Sequence, residues 1–109
     1  MTAFSWSQIA EERVNPLATR QMVHTEAMTV ARRRFLKGAV TNAHSHADEQ
    51  ISMVESGVVR FVVAGEERIV SANEAIVIRS NVFHQAEALE DSVVTDVFAT
   101  PLQHERTTP

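Results

Sequence analysis

The sequence predicts an all-β fold, an antiparallel β sandwich or barrel formed by a single domain. From Leu17 onward, apolar residues occur in short stretches rich in β-branched side chains, and no long stretch has the 3.6-residue period of an amphipathic helix. Turn-forming residues separate these stretches at intervals of roughly 8–12 residues, a spacing typical of antiparallel sandwiches and barrels. The chain has 109 residues and no internal repeat or linker, so it has room for one hydrophobic core.

The N-terminal segment differs from the rest of the chain. Residues 4–13 predict a short helix or turn anchored by Trp6 and Ile9, and Pro16 ends it. The predicted organisation is an N-terminal extension over residues 1–15, a β-barrel domain over residues 16–102 and a frayed C-terminal tail over residues 103–109.

The strands of the barrel are predicted from apolar, β-branched or alternating stretches. The candidates are residues 28–36, 51–54, 58–63, 68–70, 74–78 and 92–98. The sequence Ala64-Gly65-Glu66-Glu67 predicts a hairpin turn between the third and fourth candidates.

Composition excludes several classes of function. Ten basic and fourteen acidic residues give a net charge of −4, the wrong sign for a protein that binds nucleic acid or an anionic membrane. The absence of cysteine excludes disulfides, iron–sulfur clusters, cysteine zinc sites and thiol nucleophiles. The three glycines, Gly38, Gly57 and Gly65, lie too far apart for a phosphate-binding loop. Neither a secretory signal pattern nor a membrane-spanning stretch is present, so we expect a cytoplasmic protein.

Histidine spacing suggests a metal site. His44 and His46 have the i, i+2 spacing that puts two side chains on one face of a strand, from which both imidazoles can reach one ion. Gln50 is four residues beyond His46, so it faces the same side if the chain continues as a strand in the same register. His84 follows a separate turn at residues 79–81. The alternative is a solvated or buried histidine pair that binds no metal.

The residues around this pair resemble the first motif of the cupin superfamily. That motif contains two glycines, two histidines and an acid, and this chain matches its spacing at Gly38, His44, His46, Gln50 and Gly57. The one departure is at position 50, where the family normally has glutamate.

The second cupin motif is matched less closely. Its histidine is present as His84, whereas its two glycines are replaced by Asn73 and Asn81 and its proline by Arg79. Asparagine tolerates a left-handed backbone better than most side chains, so both asparagines are expected in tight turns. The resemblance extends over about residues 28–100 and implies a single-domain cupin jelly-roll barrel. It also implies four ligands for one divalent transition-metal ion: His44, His46, Gln50 and His84.

The glutamine at position 50 affects the chemistry expected of that ion. Three neutral imidazoles and a neutral amide leave a divalent ion with its full charge, which favours polarisation of hydroxyl or carbonyl oxygens over oxygen activation. Imidazole suits nickel, zinc, iron and cobalt alike, and manganese is a further candidate, so the identity of the ion stays open. In the alternative interpretation, Gln50 only forms hydrogen bonds and the site binds metal poorly or not at all.

The predicted strand at residues 92–98 carries an acid on an apolar face. Val94, Asp96 and Phe98 share one side of this strand. If that side faces the barrel interior, Asp96 is partly desolvated and can act as a general acid or base. The alternative is an ordinary surface aspartate on an edge strand.

Three segments resemble the pectin-degradation cupins of the KdgF type, which linearise 4,5-unsaturated uronate monosaccharides from pectin and alginate. These segments are residues 44–50, 80–84 and 90–98. The resemblance implies a metal-dependent sugar ring-opening isomerase in which Asp96 moves protons and Phe98 contacts the sugar ring.

The residue that binds the substrate carboxylate is not decided by this resemblance. Family members have an arginine soon after the last strand, and in residues 101–106 of this chain it is displaced or missing. Another arginine can serve if it faces the barrel interior. The candidates are Arg60, Arg79 and one of Arg32, Arg33 and Arg34.

Two other functions are compatible with the same barrel: a non-enzymatic sugar- or ligand-binding cupin and a small metal-dependent dioxygenase. Gln50 weighs against the dioxygenase, and Asp96 with Phe98 weighs against a pure binding protein. The expected partners are a small-molecule uronate and a second copy of the chain, since small cupins commonly form homodimers. We expect no nucleic-acid or membrane partner.

Overall fold

The computed structural model describes residues 2–99, and the regular elements in this part of the chain are ten β-strands and one short 3-10 helix, Trp6–Gln8. The strands are β1 Glu12–Asn15, β2 Ala18–His24, β3 Met28–Phe35, β4 Val40–His44, β5 Glu49–Ser56, β6 Val58–Val63, β7 Glu66–Ser71, β8 Ala75–Ile78, β9 His84–Ala88 and β10 Ser92–Ala99. The predicted all-β class is confirmed. The tail predicted at residues 103–109 lies outside the described residues.

The strands form two antiparallel sheets. Sheet 1 has the order β1-β2-β3-β10-β5-β8, and sheet 2 has the order β4-β9-β6-β7. The two sheets meet around an apolar cluster to which each contributes three buried side chains: Val54, Ile78 and Val94 from sheet 1, and Val59, Phe61 and Val70 from sheet 2. Because burial of each such side chain contributes about 1.5–3 kcal/mol, this cluster holds the two sheets together.

Strand β10 lies inside sheet 1, with β3 on one side and β5 on the other. Its buried positions alternate along the strand and include Val94, Asp96 and Phe98. The face that carries the acid therefore points inward. The alternative of a surface aspartate on an edge strand is excluded.

The N-terminal segment packs on the outer face of sheet 1. The side-chain amide of Gln21 donates hydrogen bonds to the backbone oxygens of Trp6 (2.7 Å) and Ile9 (2.9 Å). The helix ends at Gln8, so it is shorter than predicted. Strand β1 then pairs with β2, and sheet 1 therefore begins at Glu12, inside the predicted N-terminal extension. No helix within residues 2–99 combines the length and apolar character needed to cross a bilayer.

All six predicted strand stretches are strands, namely β3, β5, β6, β7, β8 and β10. Sequence analysis missed β1, β2, β4 and β9, because polar residues such as Asn42 and Gln85 interrupt their apolar alternation. Backbone hydrogen bonds to neighbouring strands hold these segments extended regardless of side-chain polarity. Of these four strands, β4 and β9 pair with each other and carry His44 and His84.

The two asparagines of the second motif adopt the predicted backbone conformation. Asn73 has φ of 70° and Asn81 has φ of 63°, both in the left-handed region. Asparagine enters this region at a lower cost than other residues with a Cβ atom, so it can replace the family's glycines here.

Candidate functional site

Three histidine side chains meet between the two sheets. Their candidate ligand nitrogens all lie within 4.8 Å of one another. The ring centroids of His44 and His84 are 4.4 Å apart, those of His46 and His84 are 5.0 Å apart, and those of His44 and His46 are 5.3 Å apart. This spacing brings together three of the four residues predicted as metal ligands.

Each histidine reaches the cluster from a different part of the fold. His44 is the last residue of β4 and pairs directly with His84, the first residue of β9. His46 lies beyond β4, in the connection that leads to β5 in the other sheet, and its backbone oxygen accepts a hydrogen bond from the N–H of Asn81 (2.8 Å). The expectation that one continuous strand carries His44 and His46 is therefore wrong. The chain bends out of sheet 2 between them, and the Asn81 turn holds the bend.

All three imidazoles have the same hydrogen-bonding pattern. The Nδ1 atoms of His44, His46 and His84 each lie 2.8 Å from a backbone carbonyl oxygen two residues away. A carbonyl oxygen can only accept, so each Nδ1 carries a proton, and in the neutral imidazole the Nε2 then presents a lone pair. Metal-bound histidines have this arrangement, because the second hydrogen bond orients the ring and selects the tautomer.

The fourth predicted ligand, Gln50, lies against the cluster. Its amide nitrogen donates to the hydroxyl of Ser52 (2.8 Å), and its Oε1 is 3.1 Å from the Nε2 of His46. In the neutral tautomer of His46 with the proton on Nδ1, the Nε2 of His46 and the Oε1 of Gln50 are both acceptors and repel each other. A cation bound between them would attract both atoms. The Nε2 of His84 is also buried and has no hydrogen-bond partner among residues 2–99. The donor set therefore fits a divalent metal ion.

The electrostatic environment keeps His84 in the form that binds a metal. Burial is the main effect, and it lowers the pKa of His84 below the usual value. The hydrogen bond to the backbone of Val82 acts in the opposite direction, His44 and His46 lower the pKa further, and the charge of Asp96 raises it. The net result favours the neutral imidazole, which is the ligating form.

Asp96 is buried on the inner face of β10 and is paired with an arginine. Its side chain is 7% exposed, and its Oδ2 accepts a hydrogen bond of 2.7 Å from the Nε of Arg33. Phe98, two residues further along the strand, is fully buried, and its ring meets that of His46 edge-on at 5.7 Å. The predicted acid and aromatic residue thus lie side by side next to the histidine cluster.

These groups share a cavity of about 410 Å³ between the sheets. Its walls include His44, Gln50, His84, Asp96 and Phe98. The volume is within the range of small-molecule sites, roughly 300–1,000 Å³. The cavity can therefore hold a small ligand in reach of both the histidine cluster and the buried carboxylate.

Arg60 and Arg79, predicted to bind the substrate, do not line this cavity. Arg60 lies on the outer face of β6, where Glu87 (2.6 Å) and Glu67 (3.1 Å) bind its guanidinium and raise its pKa. Arg79 is 78% exposed and 3.6 Å from Glu49. The structure brings neither arginine to the site, so their placement gives no support to a substrate-binding role.

Two other arginines do line the cavity. Arg33 is one of the three alternatives left open by the sequence, and Arg20 was missed. The alternation of β3 indicates Arg33, because it shares the inner face with the buried Thr29 and Ala31. No comparable alternation pointed to Arg20, because the sequence did not predict β2 as a strand.

Comparisons with known proteins agree with this architecture. The profile of the family described as Cupin domain matches residues 31–98. The pectin degradation protein KdgF of Dickeya dadantii is 36% identical over 67 residues, covering 60% of this chain and 61% of that protein, which is less than two thirds of its length. The structure of KdgF from Halomonas sp. matches with a TM-score of 0.87 and 31% identity, covering 93% of this chain and 94% of that one. An RmlC-like cupin from Shewanella frigidimarina has the same fold, with a TM-score of 0.85, 24% identity and coverage of 94% and 95% of the two chains.

Proposed function

This chain belongs to the cupin family, as its motifs predicted, and we propose that it is a metal-dependent enzyme that opens the ring of cyclic 4,5-unsaturated uronate monosaccharides. The observation that carries the proposal is that the three-histidine cluster, the buried carboxylate of Asp96 and the aromatic ring of Phe98 lie at one cavity. A protein that only binds a ligand gains little from a desolvated carboxylate beside a metal site, whereas proton-transfer chemistry can use such a carboxylate as its general acid or base.

The relatives support the choice of substrate class. The Dickeya protein is described as a pectin degradation protein, and both it and the Halomonas protein carry the name KdgF. Cleavage of pectin or alginate by lyases ends in 4,5-unsaturated uronates. We propose the galacturonate-derived sugar as the first substrate to test and the alginate-derived sugar as the second.

His44, His46, Gln50 and His84 would hold one divalent ion, which can be nickel, zinc, iron, manganese or cobalt. When bound, such an ion supplies a Lewis acid that polarises a hydroxyl or carbonyl oxygen.

The remaining chemistry is an isomerisation that moves one proton. The anomeric hydroxyl loses its proton, the bond between C1 and the ring oxygen breaks, and the electron pair stays on the oxygen at C5. Protonation of C4 then converts the resulting enolate into a ketone, and C1 becomes an aldehyde. No oxidant or reductant is needed. The product is a linear 4-deoxy-5-keto-uronate.

Asp96 is the residue proposed to carry this proton. Its carboxylate accepts the proton from the anomeric hydroxyl and returns a proton to C4, and Arg33 orients the carboxylate through its 2.7 Å hydrogen bond. Phe98 provides an apolar wall against which the sugar ring packs and from which water is excluded.

The test is to add the metal-loaded protein to the unsaturated galacturonate and to follow the ultraviolet absorbance of the enol. We expect decay faster than the spontaneous rate, abolished by a chelator and restored by metal. Asp96→Asn should keep its metal and lose about a hundredfold or more of the rate, since general acid–base groups contribute about 10²–10⁴-fold. Asp91→Asn, at an exposed aspartate outside the cavity, is the matched control and should leave the rate unchanged.

Decay at the spontaneous rate with the metal-loaded protein would contradict the proposal, as would full activity in Asp96→Asn. Oxygen consumption with catechol- or thiol-like substrates would instead indicate the dioxygenase. Sugar binding without turnover would indicate a binding protein. A cytoplasmic location and a homodimer stay predictions, tested by cell fractionation and by sedimentation.

A further inference from the structure

The cavity carries more positive charge than its own carboxylate balances. Among the described residues that line it, the charged side chains are Arg20, Arg33 and Asp96, two cations against one anion. Arg20 and Arg33 are also direct cross-strand partners in the β2–β3 ladder. Like charges at opposing positions of a ladder are destabilising, so this pair needs a physical reason beyond packing.

The two arginines differ in how well their guanidinium groups are paired. Arg33 donates to Asp96 at 2.7 Å. Arg20 has an ion pair with Glu12 at 3.6 Å, too long for a hydrogen bond, and the Glu12 side chain is 58% exposed. The Nε of Arg20 is buried and has no hydrogen-bond partner among residues 2–99. Arg20 therefore lines the cavity with a desolvated Nε–H donor that no hydrogen bond within the described residues satisfies.

We propose that Arg20, with Arg33 beside it, forms a subsite for the carboxylate of a small-molecule acid. The proposal rests on the proposed function in one respect, that the ligand of this cavity is a uronate. A guanidinium offers parallel N–H donors that match the two oxygens of a carboxylate, which gives both affinity and orientation. The ligand carboxylate would supply the hydrogen-bond acceptor that the Nε of Arg20 lacks, in place of the longer ion pair with Glu12.

The position of Arg20 in the sheet fits this role. Arg20, Arg33 and Val94 form one row across β2, β3 and β10, and Met22, Ala31 and Asp96 form the next row on the same face. A carboxylate bound at Arg20 is therefore one row away from the proposed proton-transfer group. Anchoring one end of the sugar here would fix its orientation toward Asp96.

The test compares binding of an acid and of its neutral ester. Isothermal titration of the metal-loaded protein with galacturonate and with galacturonate methyl ester should show a preference for the acid. In Arg20→Gln, affinity for the acid should fall about ten- to a hundredfold, the range expected for a hydrogen bond to a charged group, and affinity for the ester should change little. Arg68→Gln on β7, 65% exposed and outside the cavity, is the matched control.

A second variant separates a ligand subsite from a structural ion pair. Glu12→Gln removes the charge that competes for Arg20, so affinity for galacturonate should rise severalfold. If Arg20 and Glu12 serve only the fold, both variants should weaken binding of acid and ester alike, which would overturn the proposal. Arg20→Lys keeps the charge and should retain part of the acid preference, so the test remains decisive if Arg20→Gln unfolds.

Failure of this subsite and failure of the proposed function give different results. Acid preference that depends on Arg20, with no turnover of unsaturated uronates, supports the subsite and rejects the enzyme. Turnover with an unchanged KM in Arg20→Gln, or no acid preference in the unmodified protein, overturns the subsite and leaves the enzyme standing.

Discussion

The side chain of Gln50, a proposed metal ligand, is oriented by a neighbour on the same strand. Gln50 and Ser52 are two residues apart on β5, so both face inward, and the buried Ser52 hydroxyl accepts a hydrogen bond from the Gln50 amide nitrogen. This contact turns the amide oxygen toward the Nε2 of His46. A glutamate at position 50 would have two acceptor oxygens and no such directional constraint. Ser52 is thus a positioning residue that the spacing of the metal motif did not reveal.

Removal of the Ser52 hydroxyl should weaken metal binding without unfolding the protein. In Ser52→Ala the Gln50 amide loses its fixed orientation, and we expect metal affinity to fall about 10- to 100-fold, the range seen for partners that orient metal ligands. Competition with a chromophoric chelator measures this affinity. Ser71→Ala, in β7 and outside the cavity, is the control. Equal affinities of the Ser52→Ala protein and the unmodified protein would show that Ser52 does not position a metal ligand.

At the scale of elements, the connections between the two sheets build the site. Residues 45–48 take the chain from β4 in sheet 2 to β5 in sheet 1 and place His46 on the way. Gly57 returns the chain from β5 to β6 in sheet 2 with φ of 88°, and next to it the β5–β10 pairing shifts register. A Cβ atom on Gly57 would collide with the Ser92 side chain and the backbone of Asp91. Glycine is required there for both conformation and space.

Gly57→Ala should destabilise the fold more than the same change at Gly38. Both glycines have φ near 90°, which costs an alanine about 1–2 kcal/mol. Nothing lies within 4 Å of a Cβ at Gly38, whereas the collision at Gly57 adds about 1–3 kcal/mol of overpacking. Urea unfolding of the two variants measures the difference. Equal free energies of unfolding would mean that the β5–β6 connection relaxes without strain.

In the interior of the molecule, the apolar cluster adjoins the cavity that holds the buried polar groups. Strand β5 contributes Val54 to the cluster and Gln50 and Ser52 to the cavity wall, and on β10 Val94 belongs to both while Asp96 lies in the cavity wall. Buried polar groups without hydrogen-bond partners lower the free energy of unfolding, so burial of the apolar cluster must offset the cost of the polar groups in the cavity. Binding of a cation at the histidines should therefore stabilise the molecule.

The metal-free protein should become less stable as the pH falls below about 6.5. Burial lowers the pKa of His84 in the folded state, so the unfolded chain, in which histidine has a pKa of about 6.5, binds this proton at a higher pH than the folded protein does. Stability from this group is complete above the unfolded pKa and is lost as the pH falls toward the folded pKa. Thermal unfolding at pH 7.5 and pH 5 in the presence of a chelator measures this loss.

His84→Gln should reduce this pH dependence, because the group that takes up the proton on unfolding is gone. His24→Gln, at an exposed histidine outside the cavity, is the matched control. If the curves of His84→Gln and the unmodified protein had the same pH dependence, the buried imidazole would not be its source.

Local patterns in the sequence were sufficient to predict much of the fold and the histidines of the candidate metal site. Short β-branched and apolar stretches predicted six strands. Period-two spacing placed Asp96 and Phe98 on one face of β10, because side-chain direction in a strand depends only on position along it, and the structure turns that face inward. Motif spacing selected His44, His46 and His84, which the fold brings together. The same reasoning failed for β4 and β9, whose polar residues are held extended by pairing with neighbours.

Sequence patterns alone were therefore enough to identify an all-β cupin domain and the residue types at its centre. Which charged residues face the cavity depends instead on how the strands pair. Arg20 joins Arg33 because β2 pairs with β3 in one particular register, and Arg60 is excluded because it lies on the outer face of β6, held by Glu67 and Glu87. Strand register is set by pairing across the whole sheet, and a shift of one residue would move each of these side chains to the opposite face.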